Sequence, residues 1–306
     1  MELTESERDI FLRLPEPPTC TSVKASKVWI VEWLPANESQ TGRSLYEWMQ
    51  GQRKEWAAHY SCRSKGDLIH AIAAASDFVS RTAQVPILHI DAHGGEKGLV
   101  GPDGNGGMEL LSWGELIGPL QILNTYTGCN LLVFLSACLG YAAVQIFSQG
   151  PRASAIAIIG PDSEVMPSKL LEGGKEFYRR IREGMYSLEE ILDSASREMG
   201  GVKLLYEPVT GLTYEAWISQ LIASLRSEEQ AARKERVRCM MARIGGLGLD
   251  EIEVRLNKVA VLPTPAELQA LWDMMFMIDL FPENAARFGL DMGVIHEVLV
   301  DAASRR

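Results

Sequence analysis

Two residues in this chain have the chemistry of a nucleophile and its base, and each follows an apolar run. His93 comes after the run VPILHI at residues 85–90, and Cys138 comes after LLVFL at residues 131–135. A thiol attacks a carbonyl carbon as the thiolate, and a neighbouring imidazole accepts its proton. The two residue types therefore predict acyl-transfer chemistry, with His93 as general base and Cys138 as nucleophile.

The apolar runs before these residues are typical of buried β-strands. Further runs of this kind occupy residues 28–34 and 155–159, and segments with helical spacing separate the runs. Alternating strands and helices predict an α/β fold, a mostly parallel sheet flanked by helices. Because the carboxyl ends of parallel strands share one edge of the sheet, we expect His93 and Cys138 to face each other there.

Backbone groups near the two residues fit the needs of acyl transfer. A helix predicted at residues 139–148 would place its positive amino end beside the Cys138 sulfur and favour the thiolate. Gly94 has no side chain, so its amide could come close to a developing oxyanion. The amides of Gly94 and Cys138 are therefore the predicted oxyanion hole.

Three parts are predicted along the 306 residues. Residues 1–23 include the stretch LPEPPT and are expected to be a poorly ordered or loosely docked lead-in. Residues 24–206 carry the alternation of strands and helices, beginning with the strand at residues 28–34 and a helix predicted at residues 44–58. Residues 207–306 have helical patterns, including one at 250–259, and we expect this region to bind a regulator or a substrate adaptor protein.

Charge, apolar content and cysteine spacing limit which molecules this protein is expected to bind and where it is expected to act. A formal net charge of −10 disfavours direct nucleic-acid binding, which needs clustered Lys and Arg, and favours a protein or peptide substrate. The apolar runs are shorter than the ~20 residues of a membrane helix, and the amino terminus is acidic, so no membrane contact and a cytoplasmic location are expected. Five scattered cysteines without a CxxC pair argue against a disulfide framework and structural zinc. No cofactor is predicted.

Four segments together resemble a known family, the caspase-like (clan CD) cysteine peptidases, and within it the bacterial CHAT-domain proteins. The segments are PILHIDAHGG (86–95), LVGPDG (99–104), LLVFLSACLG (131–140) and AIAIIGP (155–161). The resemblance covers residues 26–206. It implies that His93 and Cys138 are the catalytic dyad, that Gly94 contributes to the oxyanion hole, and that a peptide bond is hydrolysed through a thioester. It also implies an effector of bacterial anti-phage defence or programmed cell death.

Acidic residues follow the fourth segment, where members of this family often carry one. Asp162 and Glu164 are the candidates, and the resemblance implies a pocket that selects Arg or Lys before the cut. A partly desolvated carboxylate pairs well with a guanidinium or ammonium group. Two alternatives stay open: both acids are solvated loop residues, or Arg63 forms a basic pocket instead.

Two other functions fit parts of the sequence. His89, Asp91 and His93 form an HxDxH run whose alternate residues share a strand face, which could indicate a metallohydrolase. No further His-rich segment follows the run, so His89 is more typical of a packed core residue. The second alternative is a catalytically silent scaffold that binds protein partners.

Overall fold

The strands of this chain form one sheet that positions the site. The computed structural model describes residues 5–18, 25–148, 150–225, 235 and 262–304. The strands are β1 (Lys27–Trp33), β2 (Ala57–Ser61), β3 (Pro86–Gly95), β4 (Gly98–Pro102), β5 (Met108–Ser112), β6 (Leu132–Ser136), β7 (Ala157–Pro161) and β8 (Leu204–Pro208). The main path runs β2-β1-β3-β6-β7-β8. All its pairings are parallel except that of β7 with β8, so the predicted α/β fold with a mostly parallel sheet is confirmed.

β3 is longer than the apolar run that predicts it. It continues past residue 90 to Gly95, because its last residues leave the parallel sheet and pair with β4. In that antiparallel ladder His93 lies opposite Val100, and β4 pairs in turn with β5. His93 therefore stands at the point where the chain passes from the parallel sheet into the hairpin.

The helices cover the sheet and follow the strands in chain order. They are α1 (Glu5–Arg13), α2 (Thr41–Gln52), α3 (Lys65–Thr82), α4 (Trp113–Tyr126), α5 (Pro167–Glu183), α6 (Leu188–Glu198), α7 (Val209–Ser224), α8 (Pro265–Met275), α9 (Ala285–Phe288) and α10 (Met292–Ser304). No helix among the described residues is long and apolar enough to cross a membrane. The predicted helix at residues 250–259 lies outside the described residues.

Two predicted helices differ from the structure. The helix predicted at residues 44–58 ends at Gln52, because Arg53 is extended and the residues from 57 onward pair with β1 as β2. A helix is predicted at residues 139–148, and Gly140–Ser148 forms a helix of the 3₁₀ type. Its tighter turn changes which amides are free next to Cys138.

The described parts of the two ends of the chain pack together. Ile10 on α1 is buried, and the Arg13 guanidinium lies 2.7 Å from the Asp301 carboxylate on α10. The Tyr214 hydroxyl also donates to the Pro15 carbonyl at 2.6 Å. These contacts differ from the loose lead-in expected for the start of the chain. Burial of an apolar helix face accounts for the docking.

The helices after residue 262 also contact the sheet region. Arg152 donates two hydrogen bonds to the Asp279 carboxylate, at 2.9 and 2.7 Å, and the Ala153 amide donates to the Met275 carbonyl at 2.9 Å. Trp272 and Phe276 are fully buried in the common apolar core. Removal of these helices would therefore expose core surface that the sheet region shares with them.

Candidate active site

His93 and Cys138 line the same cavity, at the carboxyl ends of β1, β3 and β6. The cavity has a volume of about 360 Å³. Its walls include Leu34, Glu38, Asp91, His93, Cys138 and Val165. The two side chains thus lie at one edge of the sheet, and their roles as base and nucleophile stay a prediction.

Strand register explains how the two residues come to the same place. Asp91 on β3 lies opposite Ser136 on β6. His93 follows Asp91 by two positions on the same strand, so the two side chains point to the same side. Cys138 lies in the turn that begins after β6 ends at Ser136, and this turn places it in the wall of the same cavity.

Gly94 brings the backbone next to His93 into contact with the nucleophile's own peptide. A Cβ atom at this position would collide with the carbonyl oxygen of Cys138 and would lie 2.9 Å from the Ala137 Cβ. Only glycine allows this approach. The close packing fixes the separation of the two strand ends that carry His93 and Cys138.

The His93 ring has an acidic partner that the sequence did not indicate. Its Nε2 lies 2.8 Å from Oε2 of Glu38, which belongs to the loop between β1 and α2. If Nε2–H donates to this carboxylate, Nδ1 carries the free lone pair and can accept a proton from a thiol. Glu38 follows the carboxyl end of β1, the strand beside β3, and this position was the signal in the sequence that could have identified it.

The Cys138 sulfur is half-buried and rests on the loop between β7 and α5. It accepts a hydrogen bond from the Val165 amide at 3.4 Å, and its thiol faces the Val165 carbonyl at 3.6 Å. The Leu139 amide donates to the Ser163 carbonyl of the same loop at 3.2 Å. Leu139 has a φ of 54°, a left-handed conformation that costs a non-glycine residue roughly 1 kcal/mol. This loop therefore fixes both the sulfur and the turn after it.

The amides at the start of the 3₁₀-helix do not point at the sulfur as predicted. The Gly140 amide donates to the Ala137 carbonyl at 3.0 Å, and the Ala142 amide donates to the Leu139 carbonyl at 2.8 Å. The backbone donor that reaches the sulfur is Val165 instead. The backbone donor to the sulfur therefore comes from the loop between β7 and α5 and not from the helix after Cys138.

No hydrogen bond joins His93 to Cys138 within the part of the chain that the structure describes. Each side chain has a different partner, Glu38 for the imidazole and the Val165 backbone for the sulfur. Proton transfer between them requires the sulfur to turn from Val165 toward Nδ1 of His93. Such hydrogen bonds often form only when substrate is bound.

Asp162 and Glu164 lie on the loop that carries Val165, but both are exposed and neither lines the cavity. Asp162 accepts a hydrogen bond from the neighbouring Ser163 hydroxyl at 2.9 Å. The acids that line the cavity are Glu38 and Asp91. A role for the loop pair in selecting basic substrates stays a prediction.

The HxDxH residues do not form a metal site. His89 is buried with its Nδ1 3.0 Å from the Tyr178 hydroxyl, and burial lowers its pKa to about 3. Asp91 accepts from the Thr41 hydroxyl at 2.6 Å, while His93 faces Glu38. Among the residues described, no three His, Cys, Asp or Glu side chains are placed to hold a metal ion. The run is therefore divided among three separate contacts.

A solved structure is similar to this chain over part of its length. No protein-family model matches the chain, and no curated protein matches it. Among solved structures, it is similar to a complex of the pro- and mature domains of Porphyromonas gingivalis RgpB, a clan CD cysteine peptidase. The TM-score is 0.38 at 12% identity, and the match covers 67% of this chain and 53% of that chain, about half its length. The roles proposed for residues of this chain therefore rest on its own geometry.

Proposed function

We propose that this protein is a cysteine endopeptidase whose dyad is His93 and Cys138. The observation that carries the proposal is that the two side chains line one cavity, with Gly94 packed against the Cys138 peptide. A nucleophile, a base and an open space beside both are the minimum that thiol-based acyl transfer needs.

In the proposed reaction, His93 and Cys138 hydrolyse a peptide bond in two steps. Nδ1 of His93 takes the proton of the Cys138 thiol, and the thiolate attacks the peptide carbonyl carbon. The amides of Gly94 and Cys138 stabilise the oxyanion that forms. The imidazolium then gives its proton to the departing amine, which leaves a thioester on Cys138. Water, deprotonated by His93, hydrolyses the thioester and restores the thiol.

A labelling experiment on the full chain tests the proposal. Iodoacetamide is expected to alkylate Cys138, and His93→Ala should slow that alkylation at neutral pH, because the thiol would lose its base. Peptide libraries should be cleaved by the wild type and not by Cys138→Ala. Cys62→Ala is the control, because Cys62 is buried and burial raises its pKa to about 12. If no peptide is cleaved and His93→Ala leaves the alkylation rate unchanged, the chain is a catalytically silent scaffold.

The resemblance in sequence supports a biological setting for this activity. We place the protein in the cytoplasm as a CHAT-type effector of anti-phage defence or programmed cell death, acting on a protein target. Cleavage of that target, and not the chemistry itself, is then expected to require a regulator or adaptor bound to residues 207–306. Val294 and Val300 on α10 are partly exposed apolar residues in that region. Changing both to Glu should abolish cleavage of the cellular target while peptide hydrolysis stays unchanged, and equal loss of both would contradict the assignment.

A further inference from the structure

Two carboxylates are buried at the cavity, Asp91 in its wall and Glu32 beside Asp91 on the neighbouring strand, and the proposed reaction does not use them as acid, base or nucleophile. Glu32 on β1 is 1% exposed and Asp91 on β3 is 2% exposed. They lie opposite each other in the parallel register of the two strands. Burying two acids side by side is costly unless donors satisfy them. Their partners therefore indicate what the pair is for.

Most of these partners belong to the first turn of α2. Oε1 of Glu32 accepts from the amides of Gly42 and Arg43, at 2.8 and 3.1 Å. Oδ2 of Asp91 accepts from the Thr41 hydroxyl at 2.6 Å. Three consecutive residues at the start of the helix are thus held by two carboxylates. The positive amino end of the helix adds to this attraction.

Gly42 makes this double contact possible. A Cβ atom there would lie 3.1 Å from Oδ2 of Asp91 and 3.2 Å from Oε1 of Glu32, tighter than ordinary contact. The absent side chain lets both carboxylates approach the helix together. The second oxygen of Glu32 is taken by His59 on β2, whose Nε2 lies 2.9 Å away.

The loop immediately before this turn carries the partner of the catalytic base. Glu38 precedes Thr41 by three residues, and its loop begins where β1 ends at Trp33. Within the loop, the Gln40 side-chain amide donates to the carbonyls of Pro35 and Glu38, at 2.9 and 3.2 Å. The sheet fixes one end of the loop, and the two carboxylates fix the other end.

We propose that Glu32 and Asp91 are positioning residues that, by anchoring the first turn of α2, hold Glu38 against His93. The inference rests on the proposed peptidase function. Among the described residues, no hydrogen bond joins the pair to the sulfur or to the imidazole, so we expect its effect to pass through the loop. Loss of the anchor should therefore lower the rate of the chemical step and leave peptide binding nearly unchanged.

The charges around the pair support this assignment. Burial raises the pKa of Asp91 to about 7, and the neighbouring charge of Glu32 acts in the same direction. The pair can thus hold one proton near neutral pH instead of two full negative charges. The groups that face the pair are the Thr41 hydroxyl and the Gly42 and Arg43 amides on α2, the Ser136 hydroxyl on β6 and the His59 ring on β2.

Substitutions that keep shape but remove single contacts test the anchor in the full chain. Thr41→Val deletes the hydroxyl that donates to Asp91. We expect kcat to fall about 10- to 100-fold, because a small misplacement of a catalytic group has an effect of this size. KM should stay within about twofold of the wild-type value. Glu32→Ala should have a similar effect. Glu32→Gln should restore much of the rate, because its side-chain oxygen still accepts from the Gly42 and Arg43 amides.

The matched control is Glu176→Gln on α5. Glu176 is partly buried and binds Arg179, Arg180 and Ser194 away from the cavity, so its loss should affect stability and leave kcat unchanged. If Thr41→Val and Glu32→Ala fold, as judged by circular dichroism, and keep wild-type kcat, the positioning role is overturned.

If these two variants do not fold, Asp91→Asn takes their place. It keeps an acceptor for Thr41 and removes the ionisation, so a kcat profile that no longer changes near pH 7 supports the role and an unaltered profile overturns it.

Alkylation of Cys138 separates the two ways of failing. A wild-type alkylation rate that does not depend on His93 contradicts the peptidase proposal itself. A rate that depends on His93 but is the same in Thr41→Val contradicts the anchor alone. A rate that falls in Thr41→Val and not in Glu176→Gln supports both.

Discussion

The imidazole of His93 is held by the carboxylate of Glu38, with 2.8 Å between Nε2 and Oε2. Both side chains are partly exposed, at 45% and 41%, so the pair is accessible to water and its strength depends on how well the two groups are held in place. When Nε2–H donates in this contact, Nδ1 remains for the thiol. Glu38 thus extends the proposed dyad by a residue that acts on the base.

Removing that carboxylate is the first prediction. Glu38→Gln should lower kcat/KM by about 10-fold or more, because the ring loses the carboxylate that orients it. The measurement is peptide hydrolysis across pH 5 to 9. Glu47→Gln is the control, since Glu47 is an exposed acid that binds Arg43 on α2. Equal rates for Glu38→Gln and the wild type would show that the contact has no catalytic role.

A second prediction concerns the contact between Gly94 and the nucleophile's peptide. Gly94→Ala should abolish activity and destabilise the fold by about 1 to 3 kcal/mol, because the added methyl collides with the Cys138 carbonyl. Thermal unfolding and peptide hydrolysis measure the two effects. Gly95→Ala is a close control, because a Cβ there meets no atom within 4 Å. An active Gly94→Ala protein would contradict the geometry of the strand ends.

The third prediction is the pH dependence of stability that Asp91 causes. Its pKa is raised in the folded protein to about 7, so between about pH 4 and pH 7 the folded chain binds a proton that the unfolded chain has released. The free energy of unfolding from this group therefore falls as pH rises through that window. Asp91→Asn should lose less stability than the wild type between pH 5 and pH 8 in urea unfolding. Parallel curves for the two proteins would argue against a proton on Asp91.

Substrate preference is the fourth prediction. The resemblance implies a preference for Arg or Lys before the cut, with Asp162 and Glu164 as the binding acids. If they bind substrate from the rim of the cavity, changing both to their amides should lower kcat/KM about 10-fold for Arg and Lys substrates only. Glu172→Gln, which removes an exposed acid paired with Lys175, is the control. An unaltered preference would leave Glu38 and Asp91, the acids in the cavity wall, as the groups to test next.

The interpretation of the strands from sequence was largely successful. The apolar runs at residues 85–90 and 131–135 became the central strands β3 and β6, because buried parallel strands need apolar residues on both faces. The predicted ends of helices and strands were less accurate where pairing with another strand sets the boundary. The helix predicted through residue 58 ends at Gln52 because β1 has an open edge that β2 occupies. Local helical spacing does not encode that edge.

The sequence by itself determined the chemistry available, since a thiol and an imidazole after two apolar strands already limit the site to one edge of a sheet. The tertiary structure alone decided which other groups surround them. Glu38, Val165 and the buried pair Glu32 and Asp91 come from separate segments, and contacts between distant segments depend on register and loop path. The periodicity of apolar residues indicates which side chains are buried, because it follows the local geometry of a helix or strand. A hydrogen bond between two loops depends on how distant segments pack, so it has no such pattern in the sequence.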